Sequence, residues 1–84
     1  MTNHCKVYFE YFDIGETEIV LCEACQAPAV DIHHIHGRGK GKDVIENLIA
    51  CCRKCHNRFG SMNKEEVQLI HNYFIQGTRK RFLK

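Results

Sequence analysis

Apolar positions along the chain follow a helical period at both ends and a looser, strand-like alternation between them. In residues 4–12, "HCKVYFEYF", Cys5, Tyr8, Phe9 and Phe12 fall at i, i+3, i+4 and i+7, the stripe of an amphipathic helix. "DIGETE" turns the chain, and "IVL" leads into Cys22 as a short extended segment. Apolar and polar residues then alternate imperfectly through "AVDIHHI", at Val30, Ile32 and Ile35, which predicts a strand running into a loop. The loop is "HGRGKGK", with three glycines in seven residues. Asn47 opens a second short strand, "NLIAC", and "RKCHNRFG" reads as a short helix with Gly60 at its C-terminal cap. Asn63, followed three residues on by Glu66, makes a capping-box-like start to a final helix over about 64–76. Val67, Ile70 and Phe74 share its inward face, Leu69 and Tyr73 widen that face, and Gly77 ends it. The remaining "TRKRFLK" is a basic tail, helical or frayed.

A chain of 84 residues makes one domain at most. At this length an apolar core alone is small, and a metal, disulfides or a partner usually supplements it. The 44% hydrophobic and 26% charged content excludes wholesale disorder. No apolar run approaches the ~18 residues of a membrane span, and "MTNHCKVYFE" lacks the basic start and apolar stretch of a secretion signal. These features predict a soluble cytosolic protein without membrane contact, in which thiols stay reduced.

Reduced thiols change the meaning of six cysteines. Cys22 and Cys25 form one C-x-x-C pair, and Cys52 and Cys55 form another. Two residues between ligands let a tight turn aim both sulfurs at one ion, so the two pairs predict a single four-cysteine structural zinc site. The 26 residues between the pairs exceed the gap of a plain zinc ribbon, so something is inserted between the halves. Cys51 reads as a small apolar core residue beside the second knuckle, and Cys5 as packing on its helix.

The insert contains "DIHHIHGRG", with His33, His34 and His36 in four positions. Adjacent side chains on a strand point to opposite faces, so His33 and His34 are expected to take different roles. Taken with Asn47 and His56, the pattern C-x-x-C…HHI…N-L-I-x-x-C-x-x-C-H-N resembles the HNH endonucleases, the ββα-metal nucleases, in their cysteine-bearing branch. The resemblance implies a small α+β fold: a ββα-metal motif with a four-cysteine zinc site, flanked by helices at about 4–12 and 64–76. It implies one HNH nuclease domain over 1–84, its core at about 20–60 and a basic tail at 78–84. It also implies a phage or bacterial type of protein, located in the cytoplasm of a bacterial host cell.

By the same resemblance His34 is the general base that takes a proton from the attacking water. His33 and His56 hold a catalytic divalent metal, and Asn47 braces the loop and orients the base. Imidazole suits the first task because it titrates near neutral pH. A metal held by few protein ligands keeps open positions for the scissile phosphate. Where the family commonly has an aspartate this chain has His33, and softer nitrogen ligands favour Mn2+, Ni2+, Co2+ or Zn2+ over Mg2+. Asp31, two positions earlier, can supply a carboxylate directly or through water. Colicin-type relatives carry a further histidine ligand where this chain has Gly60. His36, at a position often taken by proline, reads as an exposed loop residue; His4 and His71 read as surface or packing residues.

Charge adds a partner. Arg38, Lys40, Lys42, Arg53, Lys54 and Arg58 cluster around the motif against only Asp43 and Glu46, while Arg79, Lys80, Arg81 and Lys84 form a second basic group. The acids Glu10, Asp13, Glu16, Glu18 and Glu23 lie towards the N-terminus, so a net charge of +2 hides a polar distribution. Positive charge beside the motif is the footprint of a phosphate backbone, here DNA, read with little sequence preference. A larger phage packaging or recombination assembly is a further expected partner. The competing expectation is a non-catalytic zinc-stabilised module that binds nucleic acid or protein. It accounts for the cysteines and the basic residues but not for the coincidence of His33, His34, Asn47 and His56.

Overall fold

The computed structural model describes residues 2–15 and 17–82, with side chains as far as residue 77. It is a small α+β fold of three helices and one antiparallel two-stranded sheet. Helix α1 spans Asn3–Tyr11, strand β1 Asp31–His34, strand β2 Leu48–Cys51, helix α2 Arg53–Ser61 and helix α3 Lys64–Phe82. A single 3-10 turn, Ile45–Asn47, leads into β2. Asn47 therefore closes that turn rather than opening the strand.

The hairpin register pairs Asp31 with Cys51, Ile32 with Ala50, His33 with Ile49 and His34 with Leu48. All four residues of β2 are buried, so both of its faces are covered. Side chains alternate across a strand, and here the alternation separates two cores. Leu48 and Ala50 pack with Tyr8 of α1, supported by Phe9, Phe12, Ile32 and Ile45. Ile49 and Cys51 pack on the other side with Cys22, Ile35, Cys55, Phe59 and Val67. The stripe read along α1 is thus an inward face: Tyr8 is buried, Phe9 and Phe12 pack against its cluster, and Cys5 is half-buried. Cys51 is fully buried, and burial, reinforced by the nearby Asp31 charge, pushes its thiol up to about 12. It is a neutral core residue.

Three helix details differ from the sequence pattern. Gly60 lies inside α2, which continues to Ser61 and is capped at Met62. Gly77 does not end α3, which runs on to Phe82. A glycine inside a helix costs only about 1 kcal/mol relative to alanine, too little to stop one that its neighbours support. Leu69 and Tyr73 do not widen the inward face of α3, being 60% and 77% exposed. The buried positions are Val67 and His71, with Ile70 and Phe74 partly covered and Phe74 edge-to-face with Phe12. Asn63 does cap α3, its Oδ1 accepting from the Glu65 N–H at 2.8 Å.

His71 is not a surface residue. Its side chain and that of Glu23 are fully buried and meet at 2.7 Å through Nδ1 and Oε1, while His71 Nε2 donates to the Ile45 carbonyl at 2.6 Å. Glu23 Oε2 accepts from the Tyr8 hydroxyl at 2.6 Å and from the Ala50 N–H at 3.1 Å. Burial, then the adjoining Glu23 carboxylate, raises the Tyr8 phenol so that it stays a donor. Glu23 sits inside the first cysteine pair, so this network ties the knuckle to α1, β2 and α3 at once. Removing one member of a buried, hydrogen-bonded pair typically costs about 3–5 kcal/mol, because the other charge is left without a partner. His71→Ala is accordingly expected to lower the stability of the zinc-loaded protein by about that amount in urea unfolding. An unchanged midpoint would show that the pair does not support the fold.

Candidate active site and metal centres

The first knuckle is a turn closed by the Gln26 N–H on the Cys22 carbonyl at 2.9 Å and the Cys22 N–H on the Ala27 carbonyl at 2.7 Å. Gln26 takes a φ of 67°, which lets the chain reverse there. The second knuckle uses the start of α2: Cys52 is the N-cap, and its sulfur accepts the Cys55 N–H. These turns bring the ligand atoms of Cys22, Cys25, Cys52 and Cys55 within 4.8 Å of one another, with Cys25 and Cys52 sulfurs 3.6 Å apart. Four sulfurs about 2.3 Å from one tetrahedral ion stand roughly 3.8 Å apart, so the set is suited to structural zinc. Burial alone would raise the Cys22 thiol, but N–H groups of Cys52, Cys25 and Ala24 draw it down to about 7. That favours the thiolate a metal needs.

β1 runs from this four-cysteine platform. Its alternation sends Asp31 and His33 towards α2 and Ile32 and His34 towards α1. On the α2 side the His33 ring meets His56 at a centroid distance of 5.0 Å and Phe59 at 6.3 Å. His56 Nδ1 lies 3.5 Å from Asp31 Oδ2, and Arg53 approaches the same oxygen at 3.9 Å. Burial, then the neighbouring His56 and His34, lowers the pKa of the His33 imidazole, which favours the neutral form that donates a lone pair. Two imidazoles and a carboxylate are a donor set that suits a borderline divalent ion, but the ligand atoms of His33, His56 and Asp31 do not all lie within 4.8 Å of one another as those of the four cysteines do.

On the α1 side His34 is only 7% exposed. Its Nε2 lies 2.7 Å from Asp43 Oδ1, and its ring lies 4.6 Å from that of His4. A carboxylate only accepts, so Nε2 is the donor and the free lone pair falls on Nδ1. Asp43 is held in turn by Asn3 Nδ2 on its other oxygen at 2.9 Å. That bond, and then the one from His34, lowers the Asp43 carboxyl. Burial first, then His34 and Arg38, lowers the pKa of His4. Asp43 and His4 are the site residues that sequence reasoning missed. Asp43 read as stray negative charge in a basic loop, and His4 lies far from His34 in the chain.

Asn47 braces the intervening loop. Its Oδ1 accepts the His36 N–H at 2.7 Å, and its Nδ2 donates to the carbonyls of Gly37 at 3.2 Å and Lys42 at 3.0 Å. Gly37 and Gly41 take φ values of 87° and 77°, which the loop needs and which side chains with a Cβ resist. His36 points away from this site, exposed and paired with Gln68 at 2.9 Å.

His4, Asp31, Ile32, His33, His34, Gly37, Arg38 and His56 line one open pocket of about 340 Å³. Residues 22–61 match the family model for HNH endonuclease. This segment is an HNH motif. The match runs from the first cysteine of the four-cysteine cluster to the last residue of α2, so it contains every histidine of the pocket except His4. No curated protein and no solved structure gives a significant match to the chain. Of the basic residues expected to meet a phosphate backbone, Arg38 lies in the pocket wall of the HNH motif, and Lys40 and Lys42 are exposed on the same loop. Arg53 precedes His56 by one helical turn. Lys54 and Arg58 share the side of α2 turned away from His56, and Arg58 lines a separate depression with Glu23, Ile70 and Tyr73. The side chains of Arg79, Lys80, Arg81 and Lys84 lie outside the described residues.

Proposed function

We propose that the chain is a divalent-metal-dependent HNH endonuclease that hydrolyses DNA phosphodiester bonds with little sequence preference. The observation that carries this reading is the convergence of His33, His34, His56 and Arg38 on one pocket within a segment that matches the HNH family. His34 is the general base: Asp43 accepts its Nε2 proton and so leaves Nδ1 to take a proton from the attacking water. His33 and His56, with Asp31 beside them, hold the catalytic metal. When bound, that ion neutralises charge on the scissile phosphate and the departing oxygen. Arg38, Lys40, Lys42 and Arg53 steer the phosphate backbone towards the pocket; Lys54 and Arg58 contribute only to a DNA path that continues around α2. None of these groups reads base edges, and weak sequence preference follows.

Among the described residues no helix is long and apolar enough to cross a membrane. Our reading places the enzyme on DNA in the cytoplasm of a bacterial host, alone or within a phage packaging or recombination assembly. The near-burial of His34 favours a second reading, a zinc-stabilised binding module without catalysis.

Nicking of supercoiled plasmid separates the two. Cleavage is expected with Mn2+, Ni2+ or Co2+, more weakly with Mg2+, and none with EDTA. DNA binding with no cleavage in any of these metals would leave the module as the correct reading.

A further inference from the structure

Outside the cysteine knuckles, one other group among the described residues brings three metal-ligating atoms together. His4, His34 and Asp43 each offer an atom within 4.8 Å of the others. This group lies on the α1 side of the same pocket whose α2 side holds His33 and His56.

We propose that His4, His34 and Asp43 form a regulatory site for a borderline divalent ion, Zn2+ foremost, whose occupancy removes His34 as a base. Two imidazole nitrogens and one carboxylate oxygen are a donor set zinc commonly takes with a fourth position left to solvent. Ligand atoms about 2.0–2.1 Å from a tetrahedral zinc stand roughly 3.3 Å apart. The 2.7 Å separation of His34 Nε2 and Asp43 Oδ1 therefore opens by about half an ångström as the ion replaces the shared proton. Asp43 is partly exposed and lies in the glycine-bearing loop, so it can yield that distance. The Asn3 amide on its far oxygen is the kind of outer contact that orients a ligating carboxylate.

The chemical consequence follows from counting lone pairs. A neutral imidazole has one. With Asp43 accepting from Nε2–H, the lone pair sits on Nδ1 and can take a proton. With the ion on Nε2, that lone pair forms the metal bond and the ring proton moves to Nδ1, where nothing remains to accept another. Binding stands on the geometry alone, and only its effect on cleavage rests on the reading of His34 as the base.

The test uses full-length protein with zinc in its cysteine site, in a His33→Ala/His56→Ala background that removes the opposing imidazoles. Titration with Co2+ is expected to give weak visible absorption of one further ion without thiolate charge transfer. His4→Phe, which keeps a ring against His34 but supplies no ligand, and Asp43→Asn should each weaken that uptake by about tenfold or more. In the otherwise unaltered chain, added Zn2+ should inhibit Mn2+-driven nicking. His4→Phe should need about tenfold more Zn2+, each protein being compared with its own zinc-free rate. No further cobalt uptake, or uptake and inhibition unchanged in His4→Phe, would overturn the site. Uptake without nicking in any metal would leave the site standing and remove the nuclease reading.

Discussion

Stripping zinc from the four-cysteine site is expected to unfold the chain. A structural zinc contributes about 10–16 kcal/mol of apparent binding energy at neutral pH. Stabilities of whole domains run to about 5–15 kcal/mol. Here the knuckles do more than join two ends. Cys22 and Cys55 belong to the core that Ile49, Phe59 and Val67 complete, and Cys52 caps α2. Losing the ion thus loosens the packing that presents His33 and His56. The neighbouring thiols give an internal control. Cys52→Ser should abolish zinc retention and cooperative unfolding, followed by circular dichroism and a metal count. Cys51→Ser should keep the zinc and cost about 1–3 kcal/mol for a buried hydroxyl. The reverse outcome would move the ligand from Cys52 to Cys51.

His34→Ala is expected to slow DNA cleavage by about 10²–10⁴-fold, the usual worth of a positioned general base. Its geometry explains why the effect falls on the chemical step. His34 is nearly buried, touches Asp43 and His4, and has Arg38 beside it in the pocket wall. The variant should retain zinc, fold and affinity for DNA, since the basic side chains stay in place. Single-turnover cleavage of supercoiled plasmid under saturating protein measures the step directly. A variant that cuts as fast as the parent in every activating metal would exclude His34 as the base.

Much of this site was legible in the sequence because it is local. C-x-x-C spacing fixes a turn, and neighbouring strand positions fix opposite faces, so the knuckles and the divergence of His33 from His34 could be read from a few residues. Asp31 joined His33 through the same alternation. What the sequence left open or misjudged depends mostly on residues far apart in the chain. His71 looked like one polar residue on an amphipathic helix until Glu23, 48 positions away, met it in the core. His4 and Asn3 gave no signal of their own because their significance lies in Asp43 and His34. Leu69 and Tyr73 misled because helical periodicity defines a broad apolar arc, whereas the actual neighbours of α3 cover only part of it. Gly77 misled because intrinsic propensity is a small term beside tertiary support.

The boundaries of the family match carry a practical lesson for transplanting this chemistry. Residues 22–61 hold the hairpin, both knuckles and α2, yet Asn3, His4 and Tyr8 come from before them and His71 from after. A fragment cut at those limits would leave Glu23 without two of its three partners and Asp43 without its amide anchor. The recognisable unit and the portable unit are therefore different lengths of polypeptide. Anyone grafting this HNH segment onto another scaffold must carry α1 and the first turns of α3 with it, or supply their contacts anew.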